Sequence, residues 1–183
     1  MTVESHNVSF NELALEHLEA LYGYAMALTR APAEAEDLLQ ETYLRAVKAF
    51  GHLAPDSKMK PWLFVIMRNT WLNELRRRRN RPGMVELDPD DDNILQWRNR
   101  LIDDPHLIYL RKLEREEIRE AIESLPLQSR EIVVLRDIEG FSYQEIATML
   151  ECPAGTVMSR LSRARDRLRR LLTGPKSLIA KAV

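Results

Sequence analysis

Toward the end of the 183-residue chain, Ser142-Tyr143-Gln144-Glu145 is followed at short range by Thr156, Ser159, Arg160 and Arg163. The first four residues form a capping box: the Ser142 hydroxyl can accept the backbone N–H of Glu145, whose carboxylate can return to the backbone of Ser142. A short helix starts there, with Ile146, Ala147 and Leu150 turned inward. Glu151-Cys152-Pro153-Ala154-Gly155 then turns the chain into a second helix beginning near Thr156. Ala147 and Val157, on either side of the break, have the spacing of the close contact in a helix-turn-helix. In the second helix Val157, Leu161, Ala164, Leu168 and Leu171 make one apolar stripe, leaving Ser159 and Arg163 opposite and Thr156 and Arg160 at the flank. That is the layout of a helix that reads DNA. Arginine reaches guanine edges or phosphates, and small hydroxyl residues let the backbone approach the groove. Without the preceding turn, the arginines from Arg160 to Arg170 would read as a solvated helix face.

Other chemistries find no support. His6, His17, His52 and His106 share no ligand spacing, no Gly-rich phosphate loop is present, and the single cysteine, Cys152, has no evident base partner. No catalytic residue, metal or cofactor is expected, and Cys152 reads as a small buried apolar side chain.

The net charge of −1 conceals blocks of opposite sign. Residues 1–50 carry eight acids and three bases, 60–82 seven bases and one acid, 83–105 seven acids and two bases, and 155–183 eight bases and one acid. Two surfaces facing a polyanion, divided by a segment that a polyanion repels, account for this alternation. Six glycines and 7% aromatic residues suit helices better than sheets. The fold class is therefore all-α. No apolar run reaches the roughly 20 residues that cross a bilayer, and the first ten residues lack the basic start and apolar core of a signal segment. A cytoplasmic location is expected.

The elements that must position these residues follow from periodicity and punctuation. A helix is predicted over Phe10–Arg30, with Leu13, Leu18, Leu21, Ala25 and Leu28 near helical spacing, ending at Ala31-Pro32. A second begins at Pro32, loads its first turns with Glu34, Glu36 and Asp37, and buries Leu38, Thr42, Tyr43, Ala46 and Phe50 before Gly51. A polar loop precedes a long helix from about Pro61 to Arg79, with Trp62, Leu63, Ile66, Asn69, Leu72 and Leu75 near one side. Residues 83–105 read as an acidic linker. Helical pattern resumes from His106 to Leu125 and again from Ser129 to Ile138, closed by Gly140. Two small helical domains on a flexible acidic tether result: 10–82 and 106–175, with a tail over 176–183.

Ala35-Glu36-Asp37-Leu38-Leu39-Gln40-Glu41-Thr42-Tyr43-Leu44-Arg45, Lys60-Pro61-Trp62-Leu63 and Arg68-Asn69-Thr70-Trp71-Leu72-Asn73-Glu74-Leu75-Arg76-Arg77 together resemble region 2 of the sigma-70 family of RNA polymerase sigma factors, in particular its small extracytoplasmic-function members. Ile118 to Leu172, containing Leu125-Pro126, Arg130-Glu131 and the helix-turn-helix, is similar to region 4 of that family. Both motif sets occur in the family's order and cover most of the chain. Two positions depart from it: Asn73 stands where members often carry Asp, and Met158 where many carry Lys.

The resemblance implies a transcription initiation factor, not an enzyme. It nominates Asp37, Gln40 and Glu41 for docking on the β′ coiled coil of core RNA polymerase, with the β subunit as a further partner. It assigns −10 promoter DNA, which must be melted, to Lys60, Trp62, Asn69, Asn73, Arg76 and Arg77, and the −35 element to Thr156, Ser159, Arg160 and Arg163. Flipped bases need a pocket with a stacking or hydrogen-bonding partner, and a displaced strand needs cations. Trp62 and Trp71 have core packing as the alternative. The linker has two readings, a nucleic-acid mimic in the RNA channel of polymerase or a disordered spacer. An anti-sigma factor is implied as inhibitor, and a monomer when free of partners. Three rivals make different predictions. A dimeric operator-binding regulator would act without polymerase, an enzyme would need a catalytic set, and a sequestering protein would not need the arginine-rich helix.

Overall fold

The computed structural model of the chain describes residue 10 and residues 13–54, 57–79 and 116–173. The linker expected over 83–105, the start of the second unit at 106 and the tail over 176–183 lie outside the described residues. Six helices organise the rest: α1 (Leu18–Thr29), α2 (Pro32–Ala49), α3 (Met59–Arg79), α4 (Leu127–Val133), α5 (Tyr143–Leu150) and α6 (Ala154–Thr173). Helical turns also occur over 13–15 and 116–123, and α4 continues into a π-helical turn, Val134–Ile138. No strand occurs among the described residues.

The helix expected over Phe10–Arg30 is interrupted at residues 16–17. The His17 N–H closes a tight turn on the Ala14 carbonyl at 3.1 Å. Phe10 thereby packs edge-on against Tyr43 and Phe50, with centroids 6.2 and 5.3 Å away. As a result Leu13 and Leu18 are exposed, contrary to the predicted stripe, whereas Leu21, Ala25 and Leu28 are buried. Arg30 then adopts a left-handed conformation (φ 60°), its N–H closing on the Met26 carbonyl, and Pro32 opens α2 in a position that wants no N–H donor. In α2 Leu38, Thr42 and Ala46 of the predicted face are buried, Tyr43 is half-buried and Phe50 lies half-buried just past the helix end; Thr42 is accommodated because its hydroxyl donates to the Leu38 carbonyl at 2.7 Å.

The buried arc of α3 is Leu63, Phe64, Met67, Thr70 and Trp71, rotated from the predicted one. Asn69 faces solvent and Ile66, Leu72 and Leu75 are half-buried. The rotation has a tertiary cause: α3 packs on α1 and α2 and also against α5, so its apolar surface serves two neighbours. Trp71 belongs to the core, beneath the Arg78 guanidinium, which sits 5.8 Å from the ring and bonds Glu34 and Glu74. Its indole N–H has no hydrogen-bond partner among the described residues.

In the second unit α4 starts at Leu127, two residues before the predicted Ser129, because the Pro126 carbonyl already accepts from the N–H groups of Ser129 and Arg130. Gly140, at φ +76°, supplies the left-handed turn that redirects the chain into α5. Helix α6 begins at Ala154, ahead of the predicted Thr156.

The two units are packed against each other, which the tethered-module reading did not foresee. One continuous cluster of buried residues runs from Phe10 to Ala164. At its centre Tyr24 of α1 stacks on Phe64 of α3 at 4.9 Å, and Phe141, just before α5, meets Phe64 edge-on at 5.0 Å. Fully burying an aromatic side chain contributes about 1.5–3 kcal/mol, and each ring pair about 0.5–1.5 kcal/mol more. The junction between the units is thus built like a domain core.

Candidate nucleic-acid and polymerase interfaces

The helix-turn-helix is pinned at its start. The Ser142 N–H donates to Glu145 Oε2 at 2.9 Å, and the Glu145 N–H donates to Ser142 Oγ at 3.2 Å, completing the capping box. These donors, the backbone N–H first and then the hydroxyl and Lys58, hold the Glu145 carboxyl down at about 2. The turn follows through Glu151 in the left-handed region (φ 52°) and Cys152, whose N–H reaches the Ala147 carbonyl at 3.0 Å. Cys152 is half-buried rather than fully buried, because it lies in this turn at the rim of the core. Ala147 and Val157 are both buried where α5 packs on α6.

On α6, Val157, Leu161 and Ala164 face inward, Leu168 is half-buried, and Leu171, expected on the same stripe, is exposed. Ser159 and Arg163 are exposed; Thr156 and Arg160 are half-buried at the flank. Ser159 donates to the Thr156 carbonyl, and Arg163 Nε donates to the Ser159 carbonyl at 3.2 Å. Arg165 and Asp137 form a two-point ion pair that fixes α6 against the π-helical turn. A polar face with hydroxyl and guanidinium groups results, and among the described residues no acid is paired with Arg160 or Arg163.

The six residues expected at the −10 DNA do not form one cluster. Asn69, Asn73, Arg76 and Arg77 are exposed along α3, with Arg76 donating to Asn73 Oδ1 at 3.1 Å and Arg77 3.6 Å from Glu74. Lys60 and Trp62 lie at the other end of the helix, about 24 and about 21 Å from Arg76 at 1.5 Å per residue. Trp62 is half-buried and lines an open groove of about 410 Å³ between α3 and α5. Lys60 is paired with Glu139 at 2.9 Å, so it is not a free cation here. The acidic face of α2 is as expected: Asp37 and Gln40 are exposed, and Glu41 is half-buried and pairs with Arg45 at 2.6 Å.

Sequence reasoning missed the polar ties between the units. Glu131 Oε1 accepts from the Tyr24 hydroxyl at 2.8 Å and from Arg68 Nε at 2.9 Å, in a nearly water-free setting. Burial, and then the Glu131 charge, pushes the Tyr24 hydroxyl well above its ordinary value. Arg130 Nε donates to the Ala27 carbonyl and its Nη1 to the Glu123 carbonyl at 3.0 Å. Burial, followed by repulsion from Arg30, brings the Arg130 guanidinium down to about 10. The available signal was Arg130-Glu131 itself, two charges set within Leu127–Leu135 against Ile132-Val133-Val134. Among the described residues no cluster of three His, Cys, Asp or Glu side chains is placed to hold a metal ion, and no helix is long and apolar enough to cross a membrane.

Comparison with known proteins places this geometry. Residues 13–81 match the family model for Sigma-70 region 2, and residues 115–168 that for Sigma-70 region 4. The chain is 32% identical over 166 residues to RNA polymerase sigma-H factor of Pseudomonas aeruginosa, covering 90% of this chain and 86% of that protein. It is 35% identical over 164 residues to the ECF RNA polymerase sigma factor EcfG of Rhodopseudomonas palustris, covering 90% and 85%. Among solved structures it is similar to the sigma factor RpoE co-crystallised with the anti-sigma factor NepR from Bartonella quintana, with a TM-score of 0.73, 28% identity, and 91% of this chain and 98% of that chain covered. With region 2 and region 4 in order on one helical chain, the protein belongs to the extracytoplasmic-function group of the sigma-70 family of RNA polymerase sigma factors.

Proposed function

We propose that this sigma factor, with no catalytic activity of its own, acts in the cytoplasm by mounting on core RNA polymerase through Asp37, Gln40 and Glu41 of α2. From there α6 reads the −35 element with Thr156, Ser159, Arg160 and Arg163, and α3 with its preceding loop melts and holds the −10 element. The observation that carries this reading is the pairing of two solvent-facing polar helix faces on one chain: Ser159 and Arg163 on α6, and Asn69, Asn73, Arg76 and Arg77 on α3.

The closed arrangement cannot engage both elements at once. Their centres lie about 25 base pairs apart, or about 85 Å at 3.4 Å per pair, whereas a compact body of this size has a radius of gyration of about 14 Å. The units must part on polymerase. Tethering then raises the effective concentration of each unit at its element. An anti-sigma factor is a fitting inhibitor, since a relative with a similar fold is seen bound to one. The test is run-off transcription with purified protein and core polymerase, followed by mapping of transcript starts. Promoter-specific starts that depend on the added protein are expected; tight operator binding without polymerase, and no such starts, would overturn the reading.

A further inference from the structure

Lys60, assigned above to the −10 strand, is already held by region 4. Its Nζ lies 2.9 Å from Glu139 Oε2, donates to the Glu139 carbonyl at 3.0 Å, and sits 5.1 Å from the Phe141 ring. Just before it in the loop, Lys58 Nζ donates to Glu145 Oε1 at 3.1 Å. The two pairs differ in weight. The Glu139 side chain is only 8% exposed, so salt screens its pair with Lys60 poorly, whereas Lys58 is 77% exposed and its pair contributes little alone. Carboxylates and phosphates offer ammonium groups the same kind of charge-assisted acceptor.

We propose that Lys58 and Lys60 form a phosphate seat for single-stranded −10 DNA, and that Glu139 and Glu145 of region 4 occupy this seat in the closed molecule. The strand and region 4 then compete for the same two ammonium groups. Closure weakens strand binding by the fraction of molecules open, about tenfold if one in ten is open, and the strand in turn favours opening. Lys58 thereby joins the DNA-contacting residues, and the capping-box glutamate acquires a second task as part of a latch. The inference rests on the assignment of α3 and its loop to the −10 strand.

The test uses the full chain without polymerase and a fluorescent 12-nucleotide oligothymidine as probe. Glu139→Gln removes the carboxylate that neutralises Lys60 and leaves only neutral acceptors there, while Glu120→Gln, at an exposed position within residues 116–123, removes the same charge elsewhere. Glu139→Gln is expected to tighten probe binding about fivefold or more beyond Glu120→Gln, and to steepen the dependence of log affinity on log salt by about one. Glu139→Gln with Lys60→Gln should return both quantities to the wild-type range, and Lys58→Gln in the Glu139→Gln background should lower affinity again. Equal effects of Glu139→Gln and Glu120→Gln, or a gain that survives loss of Lys60, would overturn the latch. Transcription with core polymerase is measured in parallel on the same variants. Its absence with the wild-type chain would count against the function proposed above, while the oligothymidine series still decides the competition.

Discussion

The hydroxyl of Tyr24 in α1 donates to the Glu131 carboxylate of α4 across 2.8 Å, although the two residues are 107 positions apart. Glu131 also neutralises Arg68 through the same oxygen, so one buried acceptor ties α1, α3 and α4 together. A buried ion pair is a poor source of net stability but a sensitive one, because removing either partner strands the other charge away from water.

Glu131→Ala is therefore expected to destabilise the closed form by about 3–5 kcal/mol. Tyr24→Phe, which leaves the Arg68 pair intact, should cost only about 1–3 kcal/mol. Urea denaturation followed by circular dichroism checks both values. If the units share one core, the wild-type chain unfolds in one transition and Glu131→Ala separates it into two; unchanged single transitions in both variants would count against the junction.

The capping box predicts a pH dependence. The Glu145 carboxyl titrates at about 2 in the folded chain and at about 4.3 when unfolded. Its folded value is depressed, so its contribution is complete above the unfolded value and is lost as pH falls from about 4 through about 2. In Glu145→Gln the urea midpoint should show less slope over that window than wild type. Ser142→Ala, which removes the cap acceptor, should cost about 1 kcal/mol at neutral pH.

Arg163→Ala should weaken use of the upstream element more than binding to core polymerase. Loss of one base or phosphate contact corresponds to about 1–3 kcal/mol, read as reduced transcription from promoters that depend on the −35 sequence. Core association, measured by fluorescence anisotropy, should be unchanged; equal losses in the two assays would contradict the division of labour between α6 and α2.

Asp37→Ala makes the complementary test. Asp37 is exposed, so folding stability should move by no more than about 0.5 kcal/mol. Affinity for core polymerase should fall, and binding of the oligothymidine probe by the free chain should not. A thermal shift of several degrees, or intact polymerase binding, would remove this residue from the proposed docking face.

What could be read from the chain alone were features whose cause is local. Helical periodicity, Pro32 at a helix start and the reciprocal bonds of Ser142 and Glu145 depend on neighbours within a turn or two, the alternating charge blocks are plain counts along the chain, and the family motifs ride on them. The exposure of Ser159 and Arg163 follows from the same patterns, whereas Asn69, expected on the apolar side of its helix, faces solvent only because α3 is rotated by its neighbours. The tertiary structure alone decided that α3 turns Phe64 towards Phe141 and that Lys60 meets Glu139. It also decided that Glu131 is buried between Tyr24 and Arg68. Each of these side chains has an ordinary local reading as a core ring, a loop cation or a helix charge. Periodicity says which face of a helix is apolar, but it carries no term for the partner that covers that face. Contacts across so long a separation arise from shape and charge complementarity between finished surfaces, which no single segment encodes.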